Sequence, residues 1–188
     1  MKNIEGKTSN YNFFHAMVML LCFLTFLSCK EDKKQEPPKD PVITTFYLIR
    51  HAEKDRSNPE DKDPELNQDG LGRAMLWANM FDTLDLDAVY STDYTRTKMT
   101  AAPTSVKHNI DIKIFDPKEI DVKQLLLDNY GASVLMVGHS NTTPALANKL
   151  IGEEKYQSMD DNDNSSVYII KLADSIGNVV SAKIQKVD

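Results

Sequence analysis

Two arginines and two histidines stand at the ends of short apolar runs, where chemistry could be done: Arg50 and His51 in LIRHAEK, Arg96 in YSTDYTRT, and His139 in MVGHSNTTP. Two guanidiniums suit a bidentate grip on phosphate oxygens, and a neutral imidazole held among them can attack phosphorus. Each residue alone has a plainer reading: an arginine at a strand end commonly makes a surface ion pair, and a lone histidine a structural hydrogen bond. Four of them at three strand ends are hard to assign to packing. Arg96 also falls in the opening turn of an expected helix, where a cation opposes the macrodipole unless an anion is its partner. Gly138, just ahead of His139, would let a ligand approach the backbone closely. Asp116, in IFDPKE, occupies the matching position after a further strand.

The elements that must hold these residues follow from patterning. From Pro41 onward, short β-branched runs alternate with amphipathic stretches, the signature of an α/β domain with a mostly parallel sheet. Strands are expected at Val42–Ile49, Ala88–Tyr90, Ile112–Phe115, Ser133–Val137, Val167–Leu172 and Val179–Lys186. Helices are expected at Gly70–Phe81, Asp93–Lys107, Ile120–Asn129 and Thr143–Ile151. Gly177-Asn178 reads as a hairpin turn, so the sheet should be antiparallel at one edge. Sheets of this kind place ligand sites just past the carboxyl ends of their parallel strands, where the four residues lie. The polar loop from His51 to Gly70 is long enough to be a functional lid or to lack fixed structure, and its Lys54 and Arg56 are candidates for selecting a ligand. The acidic run DDNDN, Asp160 to Asn164, lacks the glycine and glutamate of a calcium loop and reads as a turn.

The first residues read as an address. Tyr11 to Cys29 carries no Asp, Glu, Lys or Arg and follows Lys2 and Lys7, a basic segment and then an apolar one. Its densest part, Phe13 to Leu27, is shorter than the ~20 residues of a spanning helix. The tail FLSC resembles a bacterial lipobox, so residues 1–28 are expected to be a cleaved signal and Cys29 a lipidated first residue. Residues 29–41, charged and proline-bearing, would be a flexible tether, and 42–188 the folded domain. This arrangement implies a lipoprotein of the cell envelope, tied to the outer membrane and facing the periplasm or the cell surface; Lys30-Glu31-Asp32 resembles a surface-export signature.

Composition narrows the classes. The chain has 188 residues, with 22 Lys+Arg against 28 Asp+Glu and a net charge of −6, which argues against a nucleic-acid partner. Both cysteines, Cys22 and Cys29, precede the body, so the body can hold no disulfide and no thiolate metal cluster. His108 ends a helix, where its imidazole complements the dipole. His51 and His139 have no cysteine or carboxylate at a ligand spacing, so no metal site and no cofactor are expected. A small monomer is the default.

RHAEK, STDYTRTKMTA and VGHSNTTP, with LNQDGLGRA between the first two, resemble the histidine phosphatase superfamily over nearly the whole of residues 42–188. The resemblance implies the phosphoglycerate-mutase-like fold, a three-layer α/β sandwich, and is nearest to the compact bacterial members. It implies that His51 is the nucleophile that becomes phosphohistidine, and that Arg50, Arg96 and His139 bind the phosphoryl group of a small phosphorylated substrate. A carboxylic acid should protonate the leaving oxygen. Asp116 is the first choice and Glu119 the second, with Asp121 and Glu53 as further candidates; Ser57 or Asn58 would add a phosphate donor. The function expected is an exported, lipid-anchored phosphatase acting on phosphomonoesters. The alternatives are a tethered phospholigand-binding domain of the same fold and a phosphoglycerate-mutase-type phosphotransferase. A serine-hydrolase elbow at Gly138-His139-Ser140 fails for want of its second glycine and of a later histidine.

Overall fold

The computed structural model describes residues 40–174 and 177–187. The expected signal, Cys29 as the expected lipidation site, and all but the last two residues of the expected tether lie outside the described residues. Six strands, β1 (Ile43–Arg50), β2 (Ala88–Ser91), β3 (Ile112–Ile114), β4 (Ser133–Gly138), β5 (Ser166–Ala173) and β6 (Asn178–Lys186), form one sheet in the order β3-β2-β4-β1-β5-β6. The first four run parallel to one another, while β5 and β6 are antiparallel. The helices are α1 (Gln68–Phe81), α2 (Thr95–His108), α3 (Val122–Asp128) and α4 (Thr142–Ile151).

Strand periodicity of two sorts the core into two layers. Phe46 and Leu48 of β1 and Val134 and Met136 of β4 pack with Leu125 and Leu126 of α3 and Leu146, Ala147 and Leu150 of α4. The alternate residues, Ile49, Leu135 and Val137, pack on the opposite face with Trp77 and Phe81 of α1 and Ala101 of α2. The result is the three-layer sandwich with a mostly parallel sheet and an antiparallel edge that the sequence leads one to expect. Gly177, at φ +77°, takes the left-handed conformation in the β5–β6 turn that glycine adopts most readily.

Where element limits differ from expectation, polar side chains explain the shift. Asp121 accepts from the backbone N–H groups of Lys123 and Gln124 and so caps α3, which therefore starts at Val122 and not at Ile120. The second helix begins at Thr95 because Tyr94 is extended (φ −129°, ψ 146°) and the Asp93 carboxylate turns to Lys98 Nζ, 2.8 Å away.

The loop between β1 and α1 is tied at its base. Lys54 bridges Leu66, the Asp55 N–H donates to the Glu65 carbonyl at 2.8 Å, and the Asn67 N–H donates to the Glu53 carbonyl at 3.0 Å. Gly70 is required by this closure, because a Cβ there would overlap the Glu53 carbonyl.

Candidate active site

Register alone brings the two histidines together. Arg50 pairs with Gly138 in the parallel β1–β4 ladder, so the next residues of the two strands, His51 and His139, emerge side by side. Their rings sit 5.5 Å apart at 67°, and the His51 N–H closes the ladder by donating to the Gly138 carbonyl at 3.0 Å. Because β5 runs antiparallel to β1, the turn preceding it reaches the same end of the sheet. Arg50, 3% exposed, donates through Nη1 to the carbonyls of Asp160 (3.0 Å) and Asp161 (2.9 Å). Its Nη2 pairs with Asp161 Oδ1 at 3.0 Å, and Arg56 holds the other oxygen of that carboxylate at 2.8 Å.

Arg96 lies in the first turn of α2 and has the anion its position demands. Asp63, from the β1–α1 loop, accepts from Arg96 Nη1 at 3.2 Å and also from the Thr95 N–H at 2.9 Å, so it caps a helix that has no cap of its own. The Arg96 guanidinium covers the Tyr94 ring at 4.4 Å, and Tyr94 meets His139 edge-on at 4.9 Å. One hydroxyl fixes the spacing of Arg96 from the β1 strand: Thr100 Oγ1 donates to the Arg96 carbonyl at 2.7 Å and accepts from the Ala52 N–H at 2.9 Å.

The histidines are set up as neutral bases. His51 Nδ1 donates to its neighbour's carbonyl, Ala52 O, at 2.7 Å, which leaves the lone pair on Nε2. Burial, with Arg50, Arg96 and His139 adding positive charge around it, pushes the His51 pKa down to about 3, against the partial support of the Ala52 hydrogen bond. His139 Nε2 is 2.9 Å from Thr92 Oγ1, and burial, Arg96 and Arg50 push its pKa down to about 4. Arg50 Nε and Arg96 Nε are both buried and have no hydrogen-bond partner among the described residues.

All four residues line one cavity of about 540 Å³, together with Lys54, Thr92, Tyr94, Ile114, Phe115, Asp116, Pro117, Lys118, Ser140, Asn141 and Asp161. A narrower recess of about 200 Å³ continues past Asp161 toward Glu53, Arg56 and Asn164. Of the candidate acids, Asp116 lines the main cavity, where its Oδ1 accepts from the Lys118 N–H at 2.8 Å. Glu119, Asp121 and Glu53 do not line it. Glu119 is an exposed turn residue, Asp121 caps α3, and Glu53 pairs with Arg73 at 2.7 Å. The structure also corrects the expected donor in the loop: Asn58 is exposed, lines neither cavity, and turns its Oδ1 to the Glu60 N–H at 3.1 Å. Ser57 is likewise exposed and away from the cavity, its N–H held by Asp55.

Solved structures with this architecture are similar over nearly their whole length. The protein histidine phosphatase SixA, solved with tungstate, is 17% identical with a TM-score of 0.59, over 76% of this chain and 96% of that one. A mycobacterial glucosyl-3-phosphoglycerate phosphatase is 13% identical with a TM-score of 0.60, over 77% and 98%. A phosphoserine phosphatase from Entamoeba histolytica, solved with 3-phosphoglyceric acid, is 17% identical with a TM-score of 0.58, over 77% and 98%. No curated protein sequence matches the chain. Residues 46–120 match the family model described as histidine phosphatase superfamily (branch 1). Over this segment the chain is similar to the histidine phosphatase superfamily.

The matched segment holds Arg50, His51, Arg96 and Asp116, while His139 lies beyond it and joins the site through strand register. Three contributors escape sequence reading. The DDNDN segment is a turn, as expected, but it is also the anchor of Arg50, and its last residue, Asn164, donates to the His51 carbonyl at 2.7 Å. Asp63 sits 32 positions before Thr95 and has no local signal for its capping role. The threonines Thr92, Thr97 and Thr100 form the hydroxyl links under His139 and Arg96; the only trace is their density around the start of α2. Gly138 is also explained differently. A Cβ there would meet Thr143 Oγ1 at 2.9 Å and Thr142 Oγ1 at 3.1 Å, so the glycine makes room for the start of α4 and not for a ligand.

Proposed function

We propose that this protein is a phosphatase that hydrolyses phosphomonoesters through a phosphohistidine on His51. The observation that carries the reading is the convergence of Arg50, Arg96 and His139 on one cavity with the neutral His51. Two guanidiniums facing one cavity can hold a phosphoryl group with charge-assisted hydrogen bonds. The phosphatases among the structural neighbours point the same way.

In this mechanism His51 Nε2 attacks phosphorus in line with the leaving oxygen, forming the N–P bond as the P–O bond breaks. Arg50 and Arg96 take up charge on the non-bridging oxygens, and the dianion raises the pKa of His139 so that it too can donate. Asp116 gives its proton to the leaving oxygen. The same carboxylate then accepts a proton from the water that attacks the phosphohistidine, releasing phosphate and restoring His51.

The experiment is hydrolysis of a chromogenic aryl phosphate by the full-length chain in detergent, with chelator present, beside calorimetric binding of inorganic phosphate. Chelator-resistant turnover is expected. Phosphate binding with no turnover of any monoester would replace the enzyme by a phospholigand-binding domain. Asp116→Asn should slow alkyl phosphates, whose leaving groups need a proton, about 10²-fold or more, and activated aryl phosphates far less. An equal loss on both would remove Asp116 from the acid's role.

We further propose that residues 1–28 direct export and that Cys29 carries the lipid, placing the phosphatase in the cell envelope, where its substrates would be extracytoplasmic. The support is the basic-then-apolar pattern ending in FLSC. Metabolic labelling with a radioactive fatty acid should mark the wild type and not a Cys29→Ser variant; equal labelling would overturn the anchor.

A further inference from the structure

A phosphoryl group accounts for only one end of the cavity. At about 540 Å³ it has the volume of a small-molecule site, far more than phosphate fills. Arg50, His51, Arg96, His139 and Thr92 make its cationic end. The side beyond them is built by Asp93 and Tyr94 and by the run that leaves the β3 edge strand, in which the apolar Ile114, Phe115 and Pro117 are interrupted and followed by the charged Asp116 and Lys118. Single exposed apolar residues are ordinary on a protein surface. Here Ile114 is 52% exposed and Tyr94 41% exposed, and both face the same cavity as the phosphate-binding cations.

This wall is held in place. Tyr94 is packed edge-on against His139 and covered by the Arg96 guanidinium, so its ring is set by the same contacts that set the cations. Phe115 is fixed by its N–H, which donates to the Ser91 carbonyl at 3.0 Å. A sugar or polyol seated on the face of Ile114, Phe115 and Pro117 would lose hydrogen bonds to water there and regain them only at Asp116 and Lys118 along its edge. A flat apolar group would gain from the same burial.

We propose that this wall seats the leaving group and that the preferred substrates are monoesters whose phosphoryl oxygen is attached to an aromatic or similarly flat, apolar group. The proposal rests on the phosphatase reading for its site but not for its test. Calorimetry on the full-length chain in detergent compares phenylphosphonate with methylphosphonate, neither of which is hydrolysed. Phenylphosphonate is expected to bind at least tenfold more tightly. Ile114→Ser, on an exposed edge position, and Phe115→Leu, which keeps an apolar side chain for folding, should each narrow that ratio severalfold and leave methylphosphonate binding unchanged. Equal binding of the two phosphonates, or a preference that neither variant alters, would overturn the proposal. Assays with phenyl phosphate separate it from the function itself. Tight phenylphosphonate binding without hydrolysis keeps the wall and removes the phosphatase, while hydrolysis without the binding preference keeps the phosphatase and removes the wall.

Discussion

His51→Ala is expected to abolish phosphatase turnover, with kcat falling by about four orders of magnitude or more, the scale seen when a nucleophile is removed. It should also make the protein more resistant to acid. In the folded state burial and the surrounding cations hold the His51 pKa at about 3, whereas an unfolded histidine titrates near 6.5. Above pH 6.5 both states are neutral and the histidine has no effect on the pH dependence of stability. As pH falls through 6.5 the unfolded state takes up a proton that the folded state refuses, so stability drops, and it continues to drop until the folded state protonates near pH 3. At pH 5 this penalty is about 2 kcal/mol. The variant lacks it, so its melting temperature relative to the wild type should rise by about 4–8 °C between pH 8 and pH 5 in phosphate-free buffer. Parallel melting curves would show that His51 is not held neutral. Retained turnover would remove it as the nucleophile. The two readouts are independent, because the side chain's own hydrogen bond is to the adjacent Ala52 carbonyl and no other element depends on it.

The sequence made the scaffold legible because its signals are local. Alternation along β1 and β4 specifies which residues face each helical layer, and the carboxyl ends of these strands locate Arg50, His51 and His139 without knowledge of any contact. What stayed hidden is held by long-range polar bonds. Asp63 and Arg96 are 33 positions apart, and Arg50 and the Asp161 turn 111, and nothing in either segment signals the other. The anomaly that could be read was energetic: a cation at the start of α2 called for an anion, and the structure supplies Asp63. The Asn58 assignment went wrong for the opposite reason. Nearness to His51 in sequence does not bring Asn58 near it in space, because the short-range Asx turns of the loop fold its polar side chains back on their own backbone.

Those long-range bonds give the two arginines different liabilities. Arg50→Ala should unfold more easily than the wild type by about 2–4 kcal/mol, because it strips the carbonyls of Asp160 and Asp161 and the Asp161 carboxylate of one charged donor. Asp161 is 67% exposed and can turn to water or to Arg56, so most of the loss falls on the carbonyls. Turnover should disappear as well, since the turn that carries Asn164 also bonds the His51 carbonyl. Arg50→Lys keeps the charge and loses the fork, so it should recover little of either property. Arg96→Ala is the contrasting case. Its ion-pair partner Asp63 is partly exposed and keeps the Thr95 N–H and hydroxyl, so stability should change by less than about 1 kcal/mol. Phosphate inhibition should nevertheless weaken at least tenfold, the loss of a charge-assisted contact of about 1.5–3 kcal/mol. Chemical denaturation and phosphate inhibition measured on all three variants decide the matter. If Arg50→Ala and Arg96→Ala lose the same stability, the turn before β5 is not the anchor of Arg50, and the buried position of that guanidinium serves phosphate alone.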